Sequence, residues 1–261
     1  MRAEAESARG VAPLVLVGGG PDTVVTSSVT ASFVSACRDA GVDHVFVGLA
    51  GDAGAVKPFV ADYERVLADL AARLDVVPLA DGLRESQIGR YDAFVIGGGP
   101  TPGYWEAVNP LASAIRQRIL DGAPFLGFSS GAMLASDSAI IGGHRSGGRP
   151  ICPAEWSEGI DDLDVRGGLG LVPWAVEVHA AQAGTLGRVV ETVSRGLAPS
   201  GVAIDEDTAL VVDAEGTRVV GSGHAWWVSP SQDGVVVRAE SSRRQATPHA
   251  GVRASSPTPA S

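Results

Sequence analysis

The stretch Pro124-Phe125-Leu126-Gly127-Phe128-Ser129-Ser130-Gly131-Ala132-Met133-Leu134 constrains this chain more than any other, because an apolar strand there runs through small residues straight into a helix. Gly127 and Gly131 flank Ser129 in a G-x-S-x-G arrangement. Such glycines let strand and helix meet at a sharp turn that lifts one hydroxyl clear of the sheet. The geometry suits a nucleophile, and it aims the Ser130 N–H at the space where an oxyanion would develop. Plain strand-to-helix turns use the same residues, so chemistry requires partners elsewhere in the chain.

The rest of the pattern predicts an α/β fold. Strands are expected at Leu14–Val17, His44–Gly48, Val76–Leu79, Ala93–Ile96 and Pro124–Phe128, with helices between them at Ser27–Ala40, Phe59–Leu74 and Pro110–Asp121. That alternation reads as a three-layer, doubly wound, mostly parallel sheet. Further on, Thr208–Val212, Arg218–Val220, Ala225–Val228 and Val235–Arg238 are short and separated by turn residues, which predicts an antiparallel meander extending one sheet edge. With 261 residues, 45% of them hydrophobic, the chain can bury one large core, and residues 11–240 are read as a single domain. Met1–Gly10 and the Ser/Pro/Ala/Arg-rich stretch 241–261 are expected to be disordered.

Charge and cysteine usage exclude several classes. A net charge of −10 leaves no basic face for phosphates, so no nucleic-acid partner is expected. No run reaches the roughly 18 apolar residues of a membrane span, and Met1–Gly10 lacks the apolar core of a leader, so a cytoplasmic protein without a membrane partner is expected. Cys37 and Cys152 lie far apart and outside any C-x-x-C, which predicts buried thiols rather than a disulfide or zinc site. Neither a metal nor an organic cofactor is implied.

Two glycine clusters follow predicted strands, where open α/β sheets place their ligand sites. Gly18-Gly19-Gly20 reads as a tight turn requiring positive φ. In Gly97-Gly98-Gly99-Pro100-Thr101, a Gly98 or Gly99 amide facing Ser129 would supply a second oxyanion donor beside Ser130. A serine nucleophile also needs a base. Of the five histidines, His44 begins a strand, His224 lies in the meander, His249 is in the tail and His144 follows Gly142-Gly143 in a loop. His179 is the preferred candidate: it ends a buried strand in Gly168–Val178, precedes an expected helix at Ala180–Leu197, and so falls on the same sheet edge as Ser129. The orienting acid stays open among carboxylates that include Asp137, Glu155, Glu158, Asp161, Asp162 and Asp164. Glu158 and then Glu155 are preferred, because both lie in the loop approaching the His179 strand.

Taken together, Leu16–Gly20, Ile96–Thr101, Gly127–Ala132, Gly168–His179 and Gly201–Leu210 resemble the S51 serine peptidases, the dipeptidase E and cyanophycinase group, whose fold is similar to class I glutamine amidotransferases. The most specific matches are the elbow, against G-x-S-A-G-A, and Gly201-Val202-Ala203-Ile204-Asp205-Glu206-Asp207-Thr208-Ala209-Leu210, against G-x-G-I-D-E-x-T-A-L. The resemblance implies Ser129 as nucleophile, His179 as base, an acid in the intervening loop, and an oxyanion hole from Gly98, Gly99 and Ser130. It implies substrate contacts at Pro100, Thr101 and Arg188.

Departures from the family pattern bear on specificity. Ser130 stands where the family usually has Ala, and Pro100 replaces a polar residue. Ala183 and Thr185 occupy two arginine positions of the cyanophycinases, leaving Arg188. Lost bidentate clamps weaken the basis for an acidic substrate. The activity implied is hydrolysis of a small peptide or amide, by a monomer or homodimer. An acyl transferase or esterase would use the same residues, and a non-catalytic binding protein on this scaffold is the alternative of a different class.

Overall fold

Runs of β-branched and aromatic residues that are buried on both faces build the centre of a parallel sheet, and three such runs organise this chain. The structure, a computed structural model, describes residues 12–242. Its first strands are β1 (Leu14–Val17), β2 (Val45–Leu49), β3 (Leu74–Pro78), β4 (Ala93–Ile96) and β5 (Phe125–Phe128), of which β2, β4 and β5 are wholly buried. The chain continues through β6 (Ser138–Gly142), β7 (Arg145–Ser146), β8 (Arg149–Pro150), β9 (Asp164–Gly167) and β10 (Ala175–Val178). It ends with β11 (Gly201–Ile204), β12 (Thr208–Asp213), β13 (Gly216–Gly221), β14 (His224–Ser231) and β15 (Gly234–Ser241).

A seven-stranded sheet has the order β13-β12-β1-β5-β4-β2-β3. Its five members from β1 to β5 run parallel, and β12 and β13 add an antiparallel edge. Because side chains alternate between faces, Val15, Val17, Leu126 and Phe128 join one apolar core with Phe33 and Cys37 of the helix Ser28–Asp39. Leu16 and Phe125 enter the other, with Ile115 of the helix Ala112–Leu120. The mixed α/β class with a mostly parallel central sheet is as expected.

Several expectations need correction. The meander does not extend one edge: β12 and β13 do, but β14 and β15 join β10 and β11 in a separate four-stranded sheet, β10-β11-β14-β15. His179 follows β10 and therefore belongs to that second sheet, not to the sheet of Ser129. The helix expected over Ala180–Leu197 is broken at Gly184, which takes a left-handed conformation between Ala180–Ala183 and Leu186–Ser194. The one expected over Phe59–Leu74 tightens after Val66 into 3-10 turns at Ala68–Arg73, and β3 begins two residues early. Cys37 is buried, and burial pushes its thiol up to about 12, whereas Cys152 is partly exposed. The expected disordered stretches, 1–10 and 241–261, lie outside the described residues except for positions 241 and 242. Among the described residues no helix is long and apolar enough to cross a membrane.

Candidate active site

Close packing explains the sharp turn after β5. A Cβ on Gly127 would lie 2.6 Å from the Gly131 carbonyl carbon, and one on Gly131 would lie 2.2 Å from the Ile96 carbonyl oxygen, so strand and helix meet only because both are glycine. Between them Ser129 adopts φ 48°, ψ −113°. This costs about 1–3 kcal/mol for a residue with a Cβ. The strain is held by hydrogen bonds on both sides: Ser129 N–H donates to the Val17 carbonyl at 3.0 Å, and the Ser129 carbonyl accepts from Ala132 and Met133 N–H at 2.9 and 3.0 Å. Ser129 Oγ is thereby fixed above the C-terminal edge of the sheet.

His179 reaches it from the second sheet. Its N–H donates to the Gly18 carbonyl at 2.8 Å, its backbone is left-handed at φ 54°, ψ 35°, and its Nε2 lies 2.9 Å from Ser129 Oγ. The other ring nitrogen, Nδ1, lies 2.7 Å from Glu206 Oε1. An ionised carboxylate can only accept, so Nδ1 carries the proton and Nε2 turns its lone pair to the serine hydroxyl. Trp156 packs on the imidazole with ring centroids 5.4 Å apart.

Glu206 therefore stands where Glu158 or Glu155 was expected. Glu158 instead accepts from Thr101 N–H at 3.2 Å and Thr101 Oγ1 at 3.3 Å, and Glu155 is exposed. The signal for Glu206 lay in Asp205-Glu206-Asp207, three acids between two apolar strands, each of which has a distinct task. Asp205 Oδ1 accepts from Ala181 N–H and Trp226 Nε1, both at 3.0 Å, and Asp207 accepts from Val25, Thr26 and Ser222. Glu206 N–H is tied to Gln182 Oε1 at 3.0 Å. The glycines at Gly18-Gly19 have a tertiary role too. Neither has positive φ, but a Cβ on Gly18 would lie 2.2 Å from the Asp205 carbonyl oxygen. The cluster is there for close approach, not for a left-handed turn.

The expected oxyanion donors and substrate contacts divide. Gly98 lies against Ser129, since a Cβ on it would be 2.9 Å from Ser129 Cβ, yet its N–H is engaged by Tyr63 Oη at 3.2 Å. The N–H groups of Gly99 and Ser130 have no hydrogen-bond acceptor among the described residues. Ser130 Oγ donates to the Gly99 carbonyl and lies 3.2 Å from Thr101 Oγ1, so the two hydroxyls form a buried chain from Glu158 to the glycine turn. Thr101 is consequently beneath the cleft rather than in it, while Pro100 lines it.

Arg188 is not a free anchor. It is 2% exposed, pairs bidentately with the wholly buried Glu177 at 2.7 and 2.8 Å, and donates to the Trp156 carbonyl at 2.7 Å. Burial opposes its charge, but Glu177 more than offsets this and holds the guanidinium protonated. Among the other histidines, His144 Nδ1 lies 3.4 Å from the Ile160 carbonyl and His224 Nδ1 lies 3.5 Å from Asp205 Oδ2; neither lines the cleft over Ser129. That cleft has a volume of about 690 Å³, with Ser129, His179, Gly98 and Gly99 in its wall. Among the described residues no cluster of three or more His, Cys, Asp or Glu is arranged to hold a metal ion.

Comparison with known proteins defines the class. The sequence profile of peptidase family S51 matches residues 14–220. A cyanophycinase from Synechococcus elongatus is 26% identical over 230 residues, 83% of this chain and 68% of that protein. A cyanophycinase from Trichormus variabilis is 32% identical over 126 residues, 47% of this chain and 39% of that protein. Among solved structures, a peptidase from an acI-B1 Actinobacterium superposes with a TM-score of 0.64 at 16% identity, covering 90% of this chain and 96% of that one. A putative peptidase E protein from Listeria monocytogenes EGD-e gives 0.56 at 16% identity, covering 81% and 98%. The chain belongs to peptidase family S51 and is a serine-type peptidase.

Proposed function

We propose that this chain hydrolyses a small peptide or amide through Ser129, His179 and Glu206. The observation that carries the reading is the continuous hydrogen-bonded line from Ser129 Oγ to His179 Nε2 at 2.9 Å and from His179 Nδ1 to Glu206 at 2.7 Å, with the serine on a strained elbow. Ser129 Oγ attacks the carbonyl carbon as its proton passes to His179 Nε2. The carbonyl oxygen becomes an oxyanion beside the Ser130 N–H, and Glu206 balances the imidazolium. Collapse breaks the C–N bond, and the same proton moves from Nε2 to the leaving amine. Water then repeats the sequence on the acyl-serine, with His179 again taking and returning a proton.

The test is labelling with a neutral fluorophosphonate, followed by mapping of the modified residue. Labelling of the parent at Ser129, and none of Ser129→Ala with its fold retained, is the expected result. Labelling that persists in Ser129→Ala would assign the nucleophile elsewhere, to Ser130 first of all.

A further inference from the structure

The cleft over Ser129 has an unbalanced charge. Asp22, Asp62, Glu155, Glu158 and Glu206 line it, against one arginine, Arg188. That arginine is cancelled by Glu177, which lies behind it and is 0% exposed. Glu206 is engaged by His179, and Asp62 lies 3.7 Å from Arg65. The other three have no such cation at bonding distance: among the described residues Asp22 and Glu155 accept no hydrogen bond, and Glu158 is held by the uncharged N–H and hydroxyl of Thr101. A second feature is independent of the charges. Leu49, Ala50, Val56 and Phe59 form an apolar wall of the same cleft, and Phe59 is 58% exposed. An apolar wall beside unpaired carboxylates fits a side chain with a hydrocarbon stem and a cationic head.

We infer that the residue on the acyl side of the scissile bond is basic, an arginine or lysine whose charge is received by Glu158 and Asp22. Glu158 indicates the side. Its carboxylate accepts from Thr101 N–H and Oγ1, and Thr101 in turn meets the Ser130 hydroxyl that donates to the Gly99 carbonyl, so the charge is hydrogen-bonded to the turn beside the carbonyl oxygen. His179, which returns the proton to the leaving amine, stands on β10 of the other sheet. An acidic residue at the same place would be desolvated among like charges with no free cation to receive it. The inference rests on the hydrolase reading, because it takes this cleft as the substrate site.

The experiment measures kcat/KM of the full chain on Arg-Ala, Lys-Ala, Leu-Ala, Asp-Ala and Ala-Arg, with fluorophosphonate labelling of Ser129 as a separate readout. Arg-Ala or Lys-Ala should exceed Leu-Ala by about tenfold, as expected for one charge pair at partly screened distance, and Asp-Ala should be the poorest. Glu158→Gln and Asp22→Asn should each narrow the basic-to-leucyl ratio. The inference is overturned if Leu-Ala or Asp-Ala equals the basic dipeptides, if the preference appears only with Ala-Arg, or if neither variant narrows the ratio. Should Ser129 be labelled while no dipeptide is cleaved, protection of Ser129 from labelling by the same dipeptides decides, and equal protection overturns the inference alone. Absence of both labelling and cleavage overturns the hydrolase reading and the inference with it.

Discussion

Glu206 Oε1 lies 2.7 Å from His179 Nδ1 although 27 positions separate them in the chain. Register brings them together. β10 and β11 pair in parallel with Val178 opposite Ile204, so the residues that follow both strands emerge at the same end. His179 is the first residue past one strand, and Glu206 is two past the other. Gly18 closes the arrangement from the first sheet, its carbonyl accepting from His179 N–H at 2.8 Å.

The first prediction concerns this pair. Glu206→Gln replaces an obligate acceptor by an amide that no longer fixes the Nδ1–H tautomer, so kcat should fall by about 10³- to 10⁴-fold. Ser129 labelling should slow in parallel. Asp137→Asn, at an exposed intervening acid outside the cleft, should change kcat little. Steady-state kinetics of both variants, with thermal melts to establish folding, check this. Comparable losses in the two would remove Glu206 from its assigned place.

A second prediction separates Ser130 from Ser129. Ser130 is 0% exposed and donates to the Gly99 carbonyl, so its hydroxyl holds the cleft-lining turn whose Gly99 N–H has no acceptor among the described residues. Ser130→Ala should lower kcat by about tenfold with little change in KM, because an oxyanion contact strengthens only in the transition state. The N–H at position 130 is retained. An unchanged kcat would mean that packing alone orients the Gly98-Gly99 turn.

The elbow and the parallel strands were legible because their signals are local, whereas His179 was legible only as a histidine at a strand end, its strand lying in a second sheet rather than in that of Ser129. Gly127 and Gly131 sit at fixed offsets from Ser129, and β4 and β5 read as apolar runs because both faces are buried. Glu206 was not legible by the same means. Its approach to His179 depends on β10 pairing with β11 in a second sheet, a non-local choice that apolar runs do not specify, and Glu206 follows His179 in the chain instead of lying between it and Ser129. Arg188 looked like a free cation for a related reason: the burial of Glu177 on β10 and the packing of the Leu186–Ser194 helix over it emerge only in three dimensions. A Cβ on Gly187 of that helix would lie 1.8 Å from the Ile151 carbonyl oxygen, which shows how close that packing is.

The buried pair yields the third prediction. Arg188 and Glu177 are 2% and 0% exposed, and removing one partner leaves an uncompensated buried charge, a loss of about 3–5 kcal/mol. Arg188→Ala should therefore lower the urea midpoint sharply and reduce activity on leucyl and aspartyl dipeptides alike. A selective rise in KM for the aspartyl substrate, with stability intact, would instead mark Arg188 as a substrate anchor.

The fourth prediction follows from Asp207, which ties the loop after β1 to the β11–β12 connection. Its Oδ1 accepts from Val25 and Thr26 N–H at 2.9 and 2.8 Å, and its Oδ2 accepts from Thr26 Oγ1 and Ser222 Oγ at 2.6 and 2.8 Å. Burial pushes the carboxyl up, but the four donors outweigh it and hold the group below its ordinary range. A carboxylate whose folded pKa lies below its unfolded value of about 3.9 stabilises the fold fully above that value and loses the contribution as pH falls through the folded pKa. Asp207→Asn should accordingly unfold at lower urea than the parent near pH 7, and the gap should narrow as pH falls below the unfolded value of about 3.9 toward the lowered folded one. Urea midpoints across that range measure it. A gap that stays constant with pH would assign the loss to the amide's poorer fit among four donors rather than to the charge, and would place the acid sensitivity of this fold elsewhere.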